Sequence, residues 1–174
     1  MRRPLVCGVA GGVGTSTIAA ALHAQDGGVY HDGPADIIVC RTTSTSITLA
    51  HRVVSTVTGM PVLVVVADGP LRPPPAVRAR LTMVRPHITA LVAMPYIPHW
   101  REIDEALEQA KLVTRVPRDQ VPKLLRPWTA ALLQLGDAVL PLVEHSISDA
   151  VGQRDSNTAV MQGSGPLPPS AAGN

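Results

Sequence analysis

The sequence predicts an α/β fold, a small parallel β-sheet flanked by helices on both faces. Short apolar, β-branched runs without polar alternation recur along the first hundred residues, as strands buried on both faces require. Between them lie segments whose apolar residues repeat at helical spacing. Turn signals rich in Gly, Pro and Asp separate the two kinds of segment, and such alternation implies parallel strands joined by right-handed crossovers. At 174 residues the chain is expected to form one domain with its own core rather than two.

The elements follow in order. Residues 5–10, Leu-Val-Cys-Gly-Val-Ala, read as a buried strand. A glycine-rich turn comes next, and from Thr15 polar capping residues lead into small helix formers that end before Gly27-Gly28. Residues 29–31 read as a very short strand before the turn Asp32-Gly33-Pro34. Residues 36–40, Asp-Ile-Ile-Val-Cys, form a clear buried strand, with a polar connection after it and a helix over 46–57 that Gly59 stops. Residues 62–66, Val-Leu-Val-Val-Val, make the strongest strand and belong at the centre of the sheet. The prolines at 73–75 suit the start of a helix over 76–84, and residues 88–94 supply the next strand. Trp100, Ile103, Leu107 and Ala110 then form an apolar stripe on one helix. Trp128, Leu132, Leu135, Val139 and Leu142 do the same on a last helix over 127–144. The organisation expected is therefore a domain over 1–146 and a disordered Ser/Gly/Pro-rich tail over 147–174.

Composition narrows the function classes. A formal charge of +2 with scattered basic residues permits DNA or anionic lipid as a partner but does not indicate either. Two cysteines, Cys7 and Cys40, make no disulfide framework, so buried free thiols and a cytoplasmic setting are expected. Glycines at 11, 12 and 14 break the first apolar run too early for a secretory leader, and no apolar run is long enough for a transmembrane segment. The six histidines show no i, i+4 pair and no neighbouring cysteine, which argues against a metal site built on them.

In a parallel sheet, ligands sit beyond the carboxyl ends of the strands. The segment Ala10-Gly11-Gly12-Val13-Gly14-Thr15-Ser16-Thr17 lies at such a place, between a strand and a helix. Glycines there let successive backbone N–H groups point inward and form a concave anion site without a charged side chain. The hydroxyl of Ser16 or Thr17 suits a magnesium ion bound to the phosphates.

These residues resemble the deviant phosphate loop of the ParA/MinD family, a P-loop type with the pattern Lys-Gly-Gly-x-Gly-Lys-Ser/Thr-Thr. The wording is most similar to the TadZ/CpaE branch. Gly11, Gly12, Gly14, Ser16 and Thr17 match, whereas Ala10 and Thr15 stand at the two lysine positions. The only lysines of the chain, Lys111 and Lys123, lie far along the sequence. The resemblance implies ATP or ADP as ligand and Mg2+ held in part by Ser16, with Gly11, Gly12, Val13, Gly14, Thr15, Ser16 and Thr17 forming the site. Where the family places an aspartate at the end of a strand, this chain has Arg41. Its guanidinium, near the end of a strand expected to neighbour the first, suits the same anion.

Loss of the lysine removes the charge that stabilises the transferring phosphoryl group, and loss of the aspartate removes metal support. The expectation is a binding or localisation protein with a degenerate nucleotide site and a protein partner, either cellular machinery or a second copy. The alternative is an ATPase that uses Arg41 or a partner's residue in place of the lysine. Asp68, just after the strongest strand, stands where a ligand's base or ribose could be contacted, but Asp68-Gly69-Pro70 reads first as an ordinary turn. Arg72, Arg78, Arg80 and Arg85 gather around one helix, where contact with DNA phosphates is one reading and a solvated face the favoured one.

Overall fold

The computed structural model describes residues 2–69 and 72–161, excluding the side chains of 145–161. Five parallel strands, β1 (Leu5–Gly8), β2 (Gln25–Val29), β3 (Ile37–Arg41), β4 (Val62–Val66) and β5 (Ala90–Met94), form one sheet in the order β2-β1-β3-β4-β5. The helices are α1 (Thr15–Ala21), α2 (Ser44–Val54), α3 (Pro75–Val84), α4 (Ala106–Val113) and α5 (Arg126–Met161). This is an α/β fold with a parallel sheet and helices on both faces.

The connection β1–α1–β2 steps one way across the sheet, and β3–α2–β4 and β4–α3–β5 step the other way. With right-handed crossovers this puts α1 on one face and α2 with α3 on the other. Packing agrees: α2 lies against α3, α4 lies against α1, and α5 covers β5 and β4. The order is that of flavodoxin-like doubly wound sheets, whose direction reverses between β1 and β3. β3 and β4 are the core of the molecule, with Ile37, Ile38, Val39, Cys40, Val62, Leu63 and Val64 all fully or almost fully buried.

Several elements differ from the sequence expectation. β2 begins at Gln25 and is exposed throughout, in place of a strand at 29–31. Its pairing with β1 needs Gly27, because a Cβ there would lie 2.6 Å from Cys7 Sγ and 3.0 Å from Leu5 Cδ1. The apolar stripe from Trp100 to Ala110 does not sit on one helix. Pro98–Arg101 is a 3-10 turn and α4 starts only at Ala106. Trp100 instead anchors this turn, stacking edge-on against Trp128 at 4.9 Å and donating from Nε1 to Gln109 Oε1 at 3.1 Å. Tertiary packing thus overrides the helical periodicity, and Leu107 is left exposed. Helix α5 runs past Glu144 to Met161, where the sequence between them offers only Gly152 to interrupt it. Of the expected tail, residues 162–174 lie outside the described residues.

The amino-terminal end of β3 is tied down by Asp36, which is buried. Its carboxylate accepts both terminal nitrogens of Arg2 at 2.6 and 2.7 Å and the Leu5 N–H at 2.7 Å. The same hydrogen bonds raise the pKa of Arg2. Cys7 and Cys40 are buried free thiols.

Candidate functional site

The chain reversal between β1 and β3 leaves a cleft at the carboxyl edge of the sheet, and the glycine loop occupies it. Gly12 and Gly14 adopt φ of +71° and +101°, a region that side chains with a Cβ rarely enter. Val13 is buried and pins the loop to the core. Thr15 is buried too, beneath the loop: a Cβ on Gly8 would overlap Thr15 Oγ1 and lie 2.7 Å from Val13 Cγ2. Gly8 therefore lets the loop fold tightly over the end of β1. By contrast nothing lies within 4 Å of a Cβ built on Gly11 or Gly12, so the upper side of the loop is open.

Above the loop is an open cavity of about 420 Å3, lined by residues 10–12 and 14–17, Gly28, Val29 and Arg41. Gly28 and Val29 are the last two residues of β2, and Val29 pairs with Gly8 at the base of the loop. The lining holds hydroxyls, backbone groups and one guanidinium, with no carboxylate. Arg41, at the last position of β3, donates through Nη2 to the carbonyl of Gly12 and through Nη1 to Asp68 Oδ1 at 2.9 Å. Asp68, just beyond β4, also accepts from Thr42 Oγ1 at 3.2 Å, and its own N–H donates to Thr42 Oγ1 at 3.1 Å. Arg41, Asp68 and Gly12 thus join the ends of β3 and β4 to the loop that follows β1. The backbone of Arg41 is fixed as well, its N–H donating to Ser46 Oγ at 2.8 Å.

A second cleft of about 150 Å3 shares Gly14, Thr17 and Arg41 with the first and extends to Tyr96, Trp100 and Arg101. The Arg101 guanidinium lies 5.3 Å from the Tyr96 ring centre, and its Nη2 approaches the Asp68 carbonyl at 3.5 Å. A separate, more apolar groove of about 360 Å3 lies between α4 and the turns around Pro122. Its polar lining side chains are His99, Gln109 and Gln120.

The residues singled out in the sequence therefore come together. Gly11, Gly12, Gly14, Thr15, Ser16, Thr17 and Arg41 all border one cavity, while Val13 lies beneath it. Asp68 belongs to the site as the partner of Arg41, a role that its turn signature does not reveal. Its local Asp-Gly-Pro signature describes a turn, whereas its partner Arg41 is 27 residues away. Only the fact that both residues end strong neighbouring strands points to it.

The fit to Mg2+ is poor. Ser16 is exposed, no carboxylate lines the cavity, and both oxygens of Asp68 are already engaged. Among the described residues no group of three or more His, Cys, Asp or Glu is placed to hold a metal ion. The fit to a phosphate is better: open loop amides, three consecutive hydroxyl residues and a guanidinium with N–H groups to spare. Burial pushes the Cys40 thiol, one residue before Arg41, up to about 12, with Asp68 adding to the shift. It contributes packing rather than a nucleophile.

No described helix is long and apolar enough to cross a membrane. In comparisons with known proteins, no family profile, no curated protein and no solved structure matches the chain.

Proposed function

We propose that the protein binds the phosphate portion of a nucleotide, ATP or ADP, at the loop over residues 10–17, and acts by binding or positioning rather than by efficient hydrolysis. The observation that carries this reading is the open, acid-free cavity over the glycine loop, with Arg41 at its edge. A cavity of that size suits a small ligand, and its donors suit an anion. Catalysis of phosphoryl transfer needs charge aimed at the terminal phosphate. Here the lysine position is taken by a buried threonine, and Arg41 is already shared between Asp68 and the Gly12 carbonyl. The resemblance of the loop to ParA/MinD proteins supports a role in localisation or partition, or in positioning pilus or secretion machinery, with a protein partner.

The test is calorimetric titration of the purified protein with ATP, ADP and GTP, with and without Mg2+, alongside measurement of phosphate release. Binding without turnover is expected. Turnover at the rate of an ordinary ATPase, abolished by Ser16→Ala, would refute the binding role and favour the ATPase reading, in which Arg41 or a partner's residue replaces the lysine. Arg41→Ala should weaken nucleotide binding by about tenfold, a value set by one charged hydrogen bond partly offset by Asp68. An unchanged affinity would remove Arg41 from the site.

A further inference from the structure

The segment that joins α4 to α5 is stiff and cationic. It contains two 3-10 turns, Arg118–Gln120 and Lys123–Leu125, entered through Pro117 and Pro122, and each proline fixes its own φ. On one side, against α4, lies the groove of about 360 Å3, with Val113, Val121 and Leu125 buried in its wall and Leu112 and Leu124 exposed at its rim. On the other side, against the first turns of α5, lies a hollow of about 230 Å3 whose lining includes Arg118, Arg126, Thr129 and the exposed Leu133. Val121 borders both. Between Glu108 and Asp137 the chain carries five cations, Lys111, Arg115, Arg118, Lys123 and Arg126, against one carboxylate, Asp119. Lys111 is matched by Glu108 at 2.6 Å, but no ion pair among the described residues engages the other four, and all four are exposed. The groove offers a neutral donor as well: Gln109 accepts from Trp100 through Oε1, which leaves its NH2 group to the lining.

We propose that this groove and the hollow beside it dock an acidic amphipathic segment of a partner protein. Two open hollows on either side of Val121 are filled by a chain that seats a large apolar side chain in each, as a helix does when its apolar face lies in a groove. The four unmatched cations around them favour Asp and Glu on the flanks of that segment, and like charge on it would be repelled. Because the prolines hold the turns in place before any partner arrives, little ordering is needed on this side of the contact. A second copy of the chain supplies a poorer occupant. Its own acidic run, Glu102 to Glu108, exposes Leu107 as its one large apolar side chain, and Glu108 is already paired with Lys111. A bilayer is disfavoured because a flat surface leaves both concavities unfilled, and interfacial anchors present a continuous apolar face instead. A nucleic-acid backbone would have nothing to place against Leu112, Leu124 and Leu133. The proposal gives a chemistry to the protein partner and does not rest on the nucleotide site, since no residue lining either hollow borders the cavity over the loop.

The test measures fluorescence anisotropy of a labelled, end-blocked peptide of about four helical turns, with Leu along one face and Glu elsewhere, titrated with the full chain. Two further peptides serve as comparisons, one with every Glu changed to Lys and one with the same composition in scrambled order. Saturable binding of the Leu/Glu peptide is expected, weakening as salt rises, with no binding of the Lys peptide and at least a tenfold loss for the scrambled one. Leu112→Gln and Leu124→Gln should each weaken binding by roughly fivefold, the value of burying half a leucine side chain. Arg118→Gln and Arg126→Gln should each weaken it by about two- to fivefold at low salt. Met83→Gln and Arg78→Gln, exposed positions on α3, should change nothing, and thermal melts should show every variant folded. The proposal is overturned if the Leu/Glu peptide does not bind at low salt, if the Lys or scrambled peptide binds as well, or if the Leu112→Gln/Leu124→Gln double variant keeps the parent's affinity. Self-association in sedimentation velocity that Leu124→Gln abolishes, or tighter binding to phosphatidylserine vesicles than to the peptide, would equally overturn it, in favour of a second copy or a lipid surface.

Discussion

Gly8→Ala is the most demanding test of the loop's geometry, because it perturbs the loop from below at a residue that does not itself line the cavity. An added Cβ would overlap Thr15 Oγ1, lie 2.7 Å from Val13 Cγ2 and lie 3.1 Å from the Ala10 carbonyl oxygen. Val13 and Thr15 are both buried, so neither side chain can swing into solvent, and the loop itself must rise. Overpacking of this kind costs about 1–3 kcal/mol. For a domain of this size each kcal/mol moves the melting temperature by about 2–4 °C, so a fall of about 2–12 °C is expected, with weaker nucleotide binding. Gly11→Ala is the matched control: its Cβ meets nothing within 4 Å and its φ is not positive, so stability should hold while the methyl group intrudes on the cavity. The assays are differential scanning calorimetry and nucleotide titration on both variants. If Gly8→Ala melts within about 1 °C of the parent and binds as well, the tight floor described for the loop is wrong.

Three further outcomes are expected. Asp36→Asn should destabilise by about 1–3 kcal/mol in urea denaturation, discounted for the half-exposed Arg2, yet leave nucleotide affinity unchanged. Asp36 and Arg41 flank opposite ends of β3, about 16 Å apart at strand rise, and a change in affinity would contradict that separation. Because burial pushes the Cys40 pKa from 9.0 to about 12, the unfolded thiol ionises first as pH rises. The stability from this group is thus whole below about pH 9 and is lost progressively towards pH 12, by up to about 4 kcal/mol. Denaturation of parent and Cys40→Ala between pH 8 and 10.5 should show their stability difference shrinking with pH, and a constant difference would refute it. Nucleotide affinity should not rise with Mg2+, since no carboxylate lines the cavity, and a Mg2+-dependent gain in the titration would reverse that conclusion.

Much of the sheet was legible because burial on both faces writes itself into composition. The runs at 37–41 and 62–66 admit few other readings once helical spacing is absent. β2 was not legible, because an exposed edge strand of Gln-Asp-Gly-Gly-Val is specified by its partner and not by its own side chains. Its one local mark is Gly27, whose missing Cβ makes room for Cys7 and Leu5, and that requirement appears only in three dimensions. The loop was readable as a candidate site because a glycine-rich turn between a strand and a helix is a local pattern. Asp68 was not, since its role depends on a contact with a residue on another strand.

The latch of Arg41, Asp68 and Gly12 bears on how the site would respond to a ligand. In a loop with its lysine, the cation is free to follow the phosphate; here the cation is committed before any ligand arrives, to one carboxylate and one loop carbonyl. An incoming anion gains only the difference between its own attraction for Arg41 and what Asp68 already supplies, and the pair is open enough to solvent for that difference to be modest. Removing the competitor should therefore strengthen binding even as it loosens the loop. Asp68→Asn keeps the shape and a hydrogen-bond acceptor but discharges the partner, so Arg41 is left to the cavity. We expect tighter nucleotide binding, with steeper salt dependence, and a lower melting temperature from the weakened tie between β4 and the loop. If affinity falls together with stability, Asp68 holds Arg41 in place for the ligand and does not compete with it, and the latch is a positioning device.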